Sequence, residues 1–79
     1  MLFVVYNPQA GHGRAKKMLP EIGRYFANKN IEATIAETRF KRHGVSLVRD
    51  INMRDFDGVV AAGGDGTLFE VINGYFMNS

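Results

Sequence analysis

The chain contains no cysteine and no tryptophan, and only two prolines in 79 residues. Without cysteine there is no disulfide framework and no thiolate metal site. Nothing then marks an oxidising compartment, which favours the cytoplasm. Long apolar runs are missing as well. The opening Met1-Leu2-Phe3-Val4-Val5 falls far short of the ~20 residues a membrane helix needs, and it lacks the charged flank of a signal peptide. A strong charge of one sign is also absent. The net charge of +2 and pI near 9.2 are too weak to argue for nucleic acid, and no RNP-like aromatic motif or helix-turn-helix signature accompanies them. His12 and His43 lack metal-ligand spacing with each other, which argues against a transition-metal site, and no Ser/His/Asp constellation stands out. What remains is 46% hydrophobic and 23% charged, the composition of one small globular unit spanning residues 1–79. The chain starts directly on a strand, as a native N-terminus would. It stops at Asn78-Ser79 with no further element, as the first part of a longer protein would.

Three strand-like runs alternate with helix-like ones. Residues 2–6 are continuously apolar and β-branched or aromatic, as in a strand covered on both faces. Residues 31–36 alternate more weakly, and residues 58–62 form the third run. A first helix carries Leu19, Ile22, Tyr25 and Phe26 on one face. Pro20 within it marks either the start of regular helix or a kink, and residues 28–30 close it. A second helix is expected over 43–54, with Leu47, Val48 and Ile51 inward and Arg49, Asp50 and Arg54 outward. A third begins at Thr67 and presents Leu68, Val71, Ile72 and Tyr75. This βαβαβα order predicts an α/β fold of three layers, a parallel sheet with helices on its faces.

Two glycine loops stand at strand ends. Residues 7–14, NPQAGHGR, follow the first strand, yet they form neither a Walker A loop nor the dinucleotide fingerprint. Read alone, an Asn-Pro turn followed by glycines needs no ligand. Residues 63–67, GGDGT, follow the third strand and open a helix. There, glycines allow backbone N–H groups to approach a ligand closely, and the helix N-terminus favours anions. In an open parallel sheet, ligands bind beyond the carboxyl ends of the strands where strand order reverses. With the first strand central, both loops face one crevice, and together they outline a nucleotide site.

Individual residues admit competing readings. Asp65 is either a turn-stabilising Asx residue or a carboxylate near nucleotide phosphates, acting directly or through water on Mg²⁺. Thr67 and Glu70 have the spacing of a capping box, which leaves Thr67 free to touch a phosphate as well. Asn73-Gly74 within a helix implies either close packing or an early end. Thr38 ends the second strand at the same sheet edge as the loops, as a plain loop threonine or as a hydroxyl reaching the nucleotide. The basic residues Arg39, Lys41 and Arg42 follow it and would form a positive rim on the crevice, whereas Arg14, Lys16 and Lys17 also suit a solvated surface. His43 reads as a surface residue or helix start, and His12 is assigned no chemistry.

Asn7-Pro8-x-x-Gly11, Thr38 and the run GGDGTLFEVINGY over residues 63–75 together resemble the diacylglycerol kinase catalytic domain family, which includes bacterial diacylglycerol kinases and the sphingosine and ceramide kinases. The resemblance spans essentially the whole chain. GGDGT alone is shared with NAD kinases and phosphofructokinases; the Asn-Pro loop and the Glu70–Gly74 continuation favour the lipid kinases. The resemblance implies the N-terminal nucleotide-binding part of a diacylglycerol-kinase-like or NAD-kinase-like fold, with ATP and Mg²⁺ used to phosphorylate a lipid hydroxyl at a membrane surface. It places nucleotide contacts at Asn7, Pro8, Gln9, Ala10, Gly11, Thr38, Gly64, Asp65, Gly66, Thr67, Leu68, Phe69 and Glu70, with Asp65 catalytic and no metal ligand assigned. Phe69 departs from the Asn frequent in bacterial members. The acceptor site and general base would lie in a β-rich second domain beyond these residues. An NAD or sugar-phosphate kinase is the alternative enzyme, and a non-catalytic nucleotide-binding module the alternative outside enzymes. The enzyme would be cytoplasmic and peripheral to the membrane, and pairing of sheet edges between copies would make a homo-oligomer.

Overall fold

A computed structural model describes residues 1–78. Five buried or half-buried residues in sequence, Leu2–Tyr6, form β1, and Ala33–Glu37 (β2) and Gly58–Ala62 (β3) flank it in the order β2-β1-β3. Both pairings are parallel, with Val4 opposite Ile35 on one side and Val60 on the other. The helices are α1 (Ala10–Asn28), α2 (His43–Arg49) and α3 (Asp65–Met77), with a short 3₁₀ turn at Met53–Asp55. The expected α/β fold with a central first strand is therefore present.

Alternation along β1 sends successive side chains to opposite faces. Phe3 and Val5 join Val48 of α2 and Val71 of α3 in the core, with Leu47, Ile51, Phe56 and Val59 packed around them. The ring of Phe3 meets Phe56 edge-on at 5.1 Å. Val4, on the other face, lines a groove with Ile22 and Phe26 of α1. Val48 is fully buried, and a side chain of its size contributes about 1.5–3 kcal/mol by leaving water.

Three boundaries differ from the sequence expectation. α2 ends at Arg49 rather than near residue 54. The Asn52 side chain accepts from the Arg54 N–H at 3.1 Å and opens a separate turn. Asn78 donates its side-chain amide to the carbonyls of Val48, Arg49 and Ile51 at 2.8–3.0 Å, which satisfies the helix end from a distant part of the chain. In α1 the break lies not at Pro20 but at Gly11, His12 and Gly13, all left-handed with φ of 61°, 57° and 91°. Pro20 is exposed within otherwise regular helix. α3 begins at Asp65, with extended Gly64 as its cap residue and Thr67 inside the first turn. Gly74 is buried where α3 crosses α2, and a Cβ there would stand 2.8 Å from Val48 Cβ. Close packing, not an early end, explains that glycine.

Candidate nucleotide site

The sheet extends past its strands to hold the loops. Asn7 donates its N–H to the Ala62 carbonyl at 3.0 Å, and Thr38 donates to the Tyr6 carbonyl at 2.8 Å. All three strand ends are thus tied together at the point where strand order reverses. The Asn7 side chain accepts the Gln9 N–H at 3.0 Å, an Asx turn that folds the Asn-Pro loop back on itself. Beyond these ends lies a cavity of about 510 Å³, within the usual range of ligand pockets. Asn7, Pro8 and Gln9 line it from β1, Thr38, Arg39, Phe40 and Lys41 from the end of β2, and Thr67 and Glu70 from α3.

A second hollow of about 300 Å³ opens beneath the start of α1, lined by Ala10, Gly11, Arg14, Gly63 and Gly64. The sequence-derived site therefore divides. Asn7, Pro8, Gln9, Thr38, Thr67 and Glu70 meet in the larger cavity, while Ala10, Gly11 and Gly64 meet under α1. Asp65 and Gly66 are exposed in the first turn of α3 and line neither. Leu68 faces the β3 edge beside Val59 and Ile72, and Phe69 lies in a groove with Arg42 and Arg49. No hydrogen bond holds the Asp65 carboxylate among the described residues, and none of them form a cluster of three or more metal-ligating side chains.

The capping-box reading does not survive. Glu70 Oε1 accepts the Gly44 N–H at 2.9 Å, so this carboxylate caps α2 rather than its own helix. Thr67 Oγ1 is buried without a hydrogen-bond partner, and a Cβ on Gly63 would overlap it. Gly63 is thus glycine because Thr67 lies against it, whereas Gly64 and Gly66 face open space. Beneath the site Tyr6 is 2% exposed, and its hydroxyl likewise finds no partner. Burial, and then the nearby Glu37 carboxylate, push this phenol above its ordinary pKa.

The basic rim is partly as expected. Arg39 and Lys41 border the larger cavity, Arg42 faces the α2–α3 groove, and Arg14 borders the hollow under α1. His43 is the first residue of α2, and its Nδ1 accepts the Arg39 N–H at 2.9 Å. Glu37 and Phe40 were not among the sequence candidates. Phe40 could have been noticed as a lone aromatic between cationic neighbours.

Over residues 1–78 the sequence matches the family described as the diacylglycerol kinase catalytic domain. The chain belongs to the diacylglycerol kinase catalytic domain family. It is 38% identical over 74 residues to sphingosine kinase 1 of Arabidopsis thaliana, covering 92% of this chain and 15% of the plant protein. It is 34% identical over 71 residues to diacylglycerol kinase of Bacillus subtilis (strain 168), covering 90% of this chain and 23% of the bacterial protein. Ceramide kinase of Arabidopsis thaliana is 26% identical over 80 residues, or 98% of this chain and 13% of that protein. These diacylglycerol kinase family relatives are lipid kinases, and the chain spans less than a quarter of each. The family match runs across the full strand-loop-helix order. No described helix is long and apolar enough to cross a membrane.

Proposed function

We propose that this chain forms the ATP-binding part of a lipid kinase that phosphorylates a lipid hydroxyl. One observation carries the reading. The Asn7–Gln9 loop, Thr38 and Thr67 converge on one cavity of nucleotide size at the switch point of the sheet.

The residues present suit ATP with Mg²⁺. Gly64 and Gly66 have open space beside them and stand exposed at the start of α3, where a helix N-terminus favours an anion such as phosphate. Thr67 offers a hydroxyl that no protein group satisfies, and Arg39 and Lys41 bring positive charge to the rim. Asp65, whose carboxylate is exposed in the first turn of α3, would be the residue to hold Mg²⁺, directly or through water, and the ion would supply charge neutralisation on the phosphates. The chain's own contribution is positioning, since phosphoryl transfer asks for alignment and electrostatic stabilisation more than covalent chemistry. The names of the relatives support a lipid acceptor, which the enzyme would meet at a membrane surface, and cytoplasmic placement accords with the absence of cysteine.

Two measurements test this. Titration of the chain with Mg·ATP should perturb the amides of residues 7–11, 38 and 64–67, and a spectrum unchanged at millimolar ATP rejects the site. In a longer protein containing the chain, Asp65→Ala should lower phosphate transfer from ATP to diacylglycerol, sphingoid base or ceramide by at least about 100-fold, on the scale of a lost transition-state contact. Unchanged transfer removes the role given to Asp65. The 79 residues alone should phosphorylate none of these lipids.

A further inference from the structure

The larger cavity has one wall that its phosphate-type features leave unexplained. Phe40 is 65% exposed, an unfavourable place for a large aromatic between Arg39 and Lys41. One face of its ring lies on the His43 imidazole, with centroids 4.2 Å apart and planes 17° from parallel. The segment carrying it is braced twice. His43 donates its N–H to the Phe40 carbonyl at 3.1 Å, and Arg39 donates its N–H to His43 Nδ1 at 2.9 Å. Arg42, left-handed at φ 69°, turns the chain between them. The result is an aromatic held in place without burial. An exposed ring fixed in advance loses little freedom when a flat ligand stacks on it.

We infer that Phe40, backed by His43, is the platform on which the base of a nucleotide stacks, and that it sets a preference for purines. The inference rests on the nucleotide reading of the same cavity and adds to it the part of the ligand that the glycine loops do not contact. Purines present more ring surface than pyrimidines, and stacking on an aromatic side chain is sequence-tolerant but sensitive to ring area. Asn7 and Thr67 line the same cavity, and the sugar and phosphates of a nucleotide stacked on Phe40 would lie toward them.

Phe40 lies outside the core, so substitutions there test binding rather than folding. Because the chain has no tryptophan, Phe40→Trp places a single reporter at the platform. Its emission should be quenched on adding Mg·ATP, and not by Mg·tripolyphosphate at equal concentration. Phe40→Leu should weaken ATP binding roughly 5- to 100-fold, the range expected for one lost stack, while tripolyphosphate binding stays unchanged and the preference for ATP over CTP disappears. ATP binding undiminished in Phe40→Leu overturns the platform and leaves the phosphate site standing. Failure of wild-type chain to bind either ATP or tripolyphosphate overturns the nucleotide reading and this inference with it.

Discussion

At the residue scale, the informative positions are those where a small atom group decides what fits. Gly63 faces Thr67 so closely that an alanine Cβ would overlap the hydroxyl and stand 3.0 Å from Thr67 Cβ. Gly63→Ala should cost about 1–3 kcal/mol in urea unfolding, as overpacking does. Adding Thr67→Ala should restore part of it, and strict additivity of the two changes would show that the overlap is not the cause. Tyr6 is the second such position. Its raised pKa means that the neutral phenol is favoured in the fold. Below the unfolded value of about 10 both states are protonated and stability is full. As pH rises past it, the unfolded chain ionises first, so stability falls until the folded group also loses its proton. Tyr6→Phe should remove this alkaline loss, and by deleting a buried hydroxyl without a partner it should leave stability at pH 7 equal or higher. Parallel loss of wild type and Tyr6→Phe between pH 9 and pH 11 would contradict the assignment.

At the scale of elements, α2 and α3 form a unit whose fastenings come from outside each helix. α2 is only seven residues long, too short to persist alone. Gly74 lets α3 approach it, Asn78 collects three carbonyls at its C-terminal end, and Glu70 accepts the Gly44 N–H at its start. Glu70 also lines the larger cavity, so the cap that fixes α2 is part of the wall of the site. The two roles separate by substitution. Glu70→Gln keeps a carbonyl acceptor for Gly44, so stability should change by less than about 0.5 kcal/mol, whereas Glu70→Ala should lose about 1–2 kcal/mol as a removed cap does. If ATP binding follows stability across the pair, Glu70 acts by holding α2. Weaker binding in a Glu70→Gln protein of wild-type stability would instead give its carboxylate a direct part in the ligand contact.

At the scale of the whole molecule, legibility followed the range of the interactions. β1 was readable because consecutive branched or aromatic residues suit a strand with two covered faces, and β3 because the short apolar run Val59–Ala62 stands between Gly58 and the Gly63-Gly64 turn; the parallel order then set both glycine loops at one edge. The end of α2 was not readable, since the carbonyls of Val48, Arg49 and Ile51 are satisfied by Asn78 across the fold. Glu70 misled for the same reason: its spacing from Thr67 is that of a local cap, but its partner Gly44 is 26 residues away. Phe40 carried no periodicity at all, and only its stack on His43 gives it a place. The apolar stripe of α1 was legible as a stripe but not as a tight contact. α1 has no buried residue, Tyr25 and Met18 are more than half exposed, and an apolar groove of about 500 Å³ runs along it beside Val60 and Ala62. Val4 and Tyr6 on this face of β1 are covered as fully as Val5 on the other, so the difference lies in the helices: α2 and α3 bury Val48 and Val71, and α1 buries nothing of its own. Stability should therefore be uneven, because opening free energy follows buried apolar contact. Native-state hydrogen exchange should find the amides of residues 14–28 exchanging at least about tenfold faster than those of β1 and α3, a gap of about 1.4 kcal/mol in opening free energy. The helix that begins at the Asn-Pro loop would then be the element most free to settle when a ligand binds, and Mg·ATP should slow exchange in α1 more than in β1. Uniform protection across α1 and β1 without ligand would mean that α1 is held as firmly as the sheet, and that its loose packing does not govern how the loop meets its ligand.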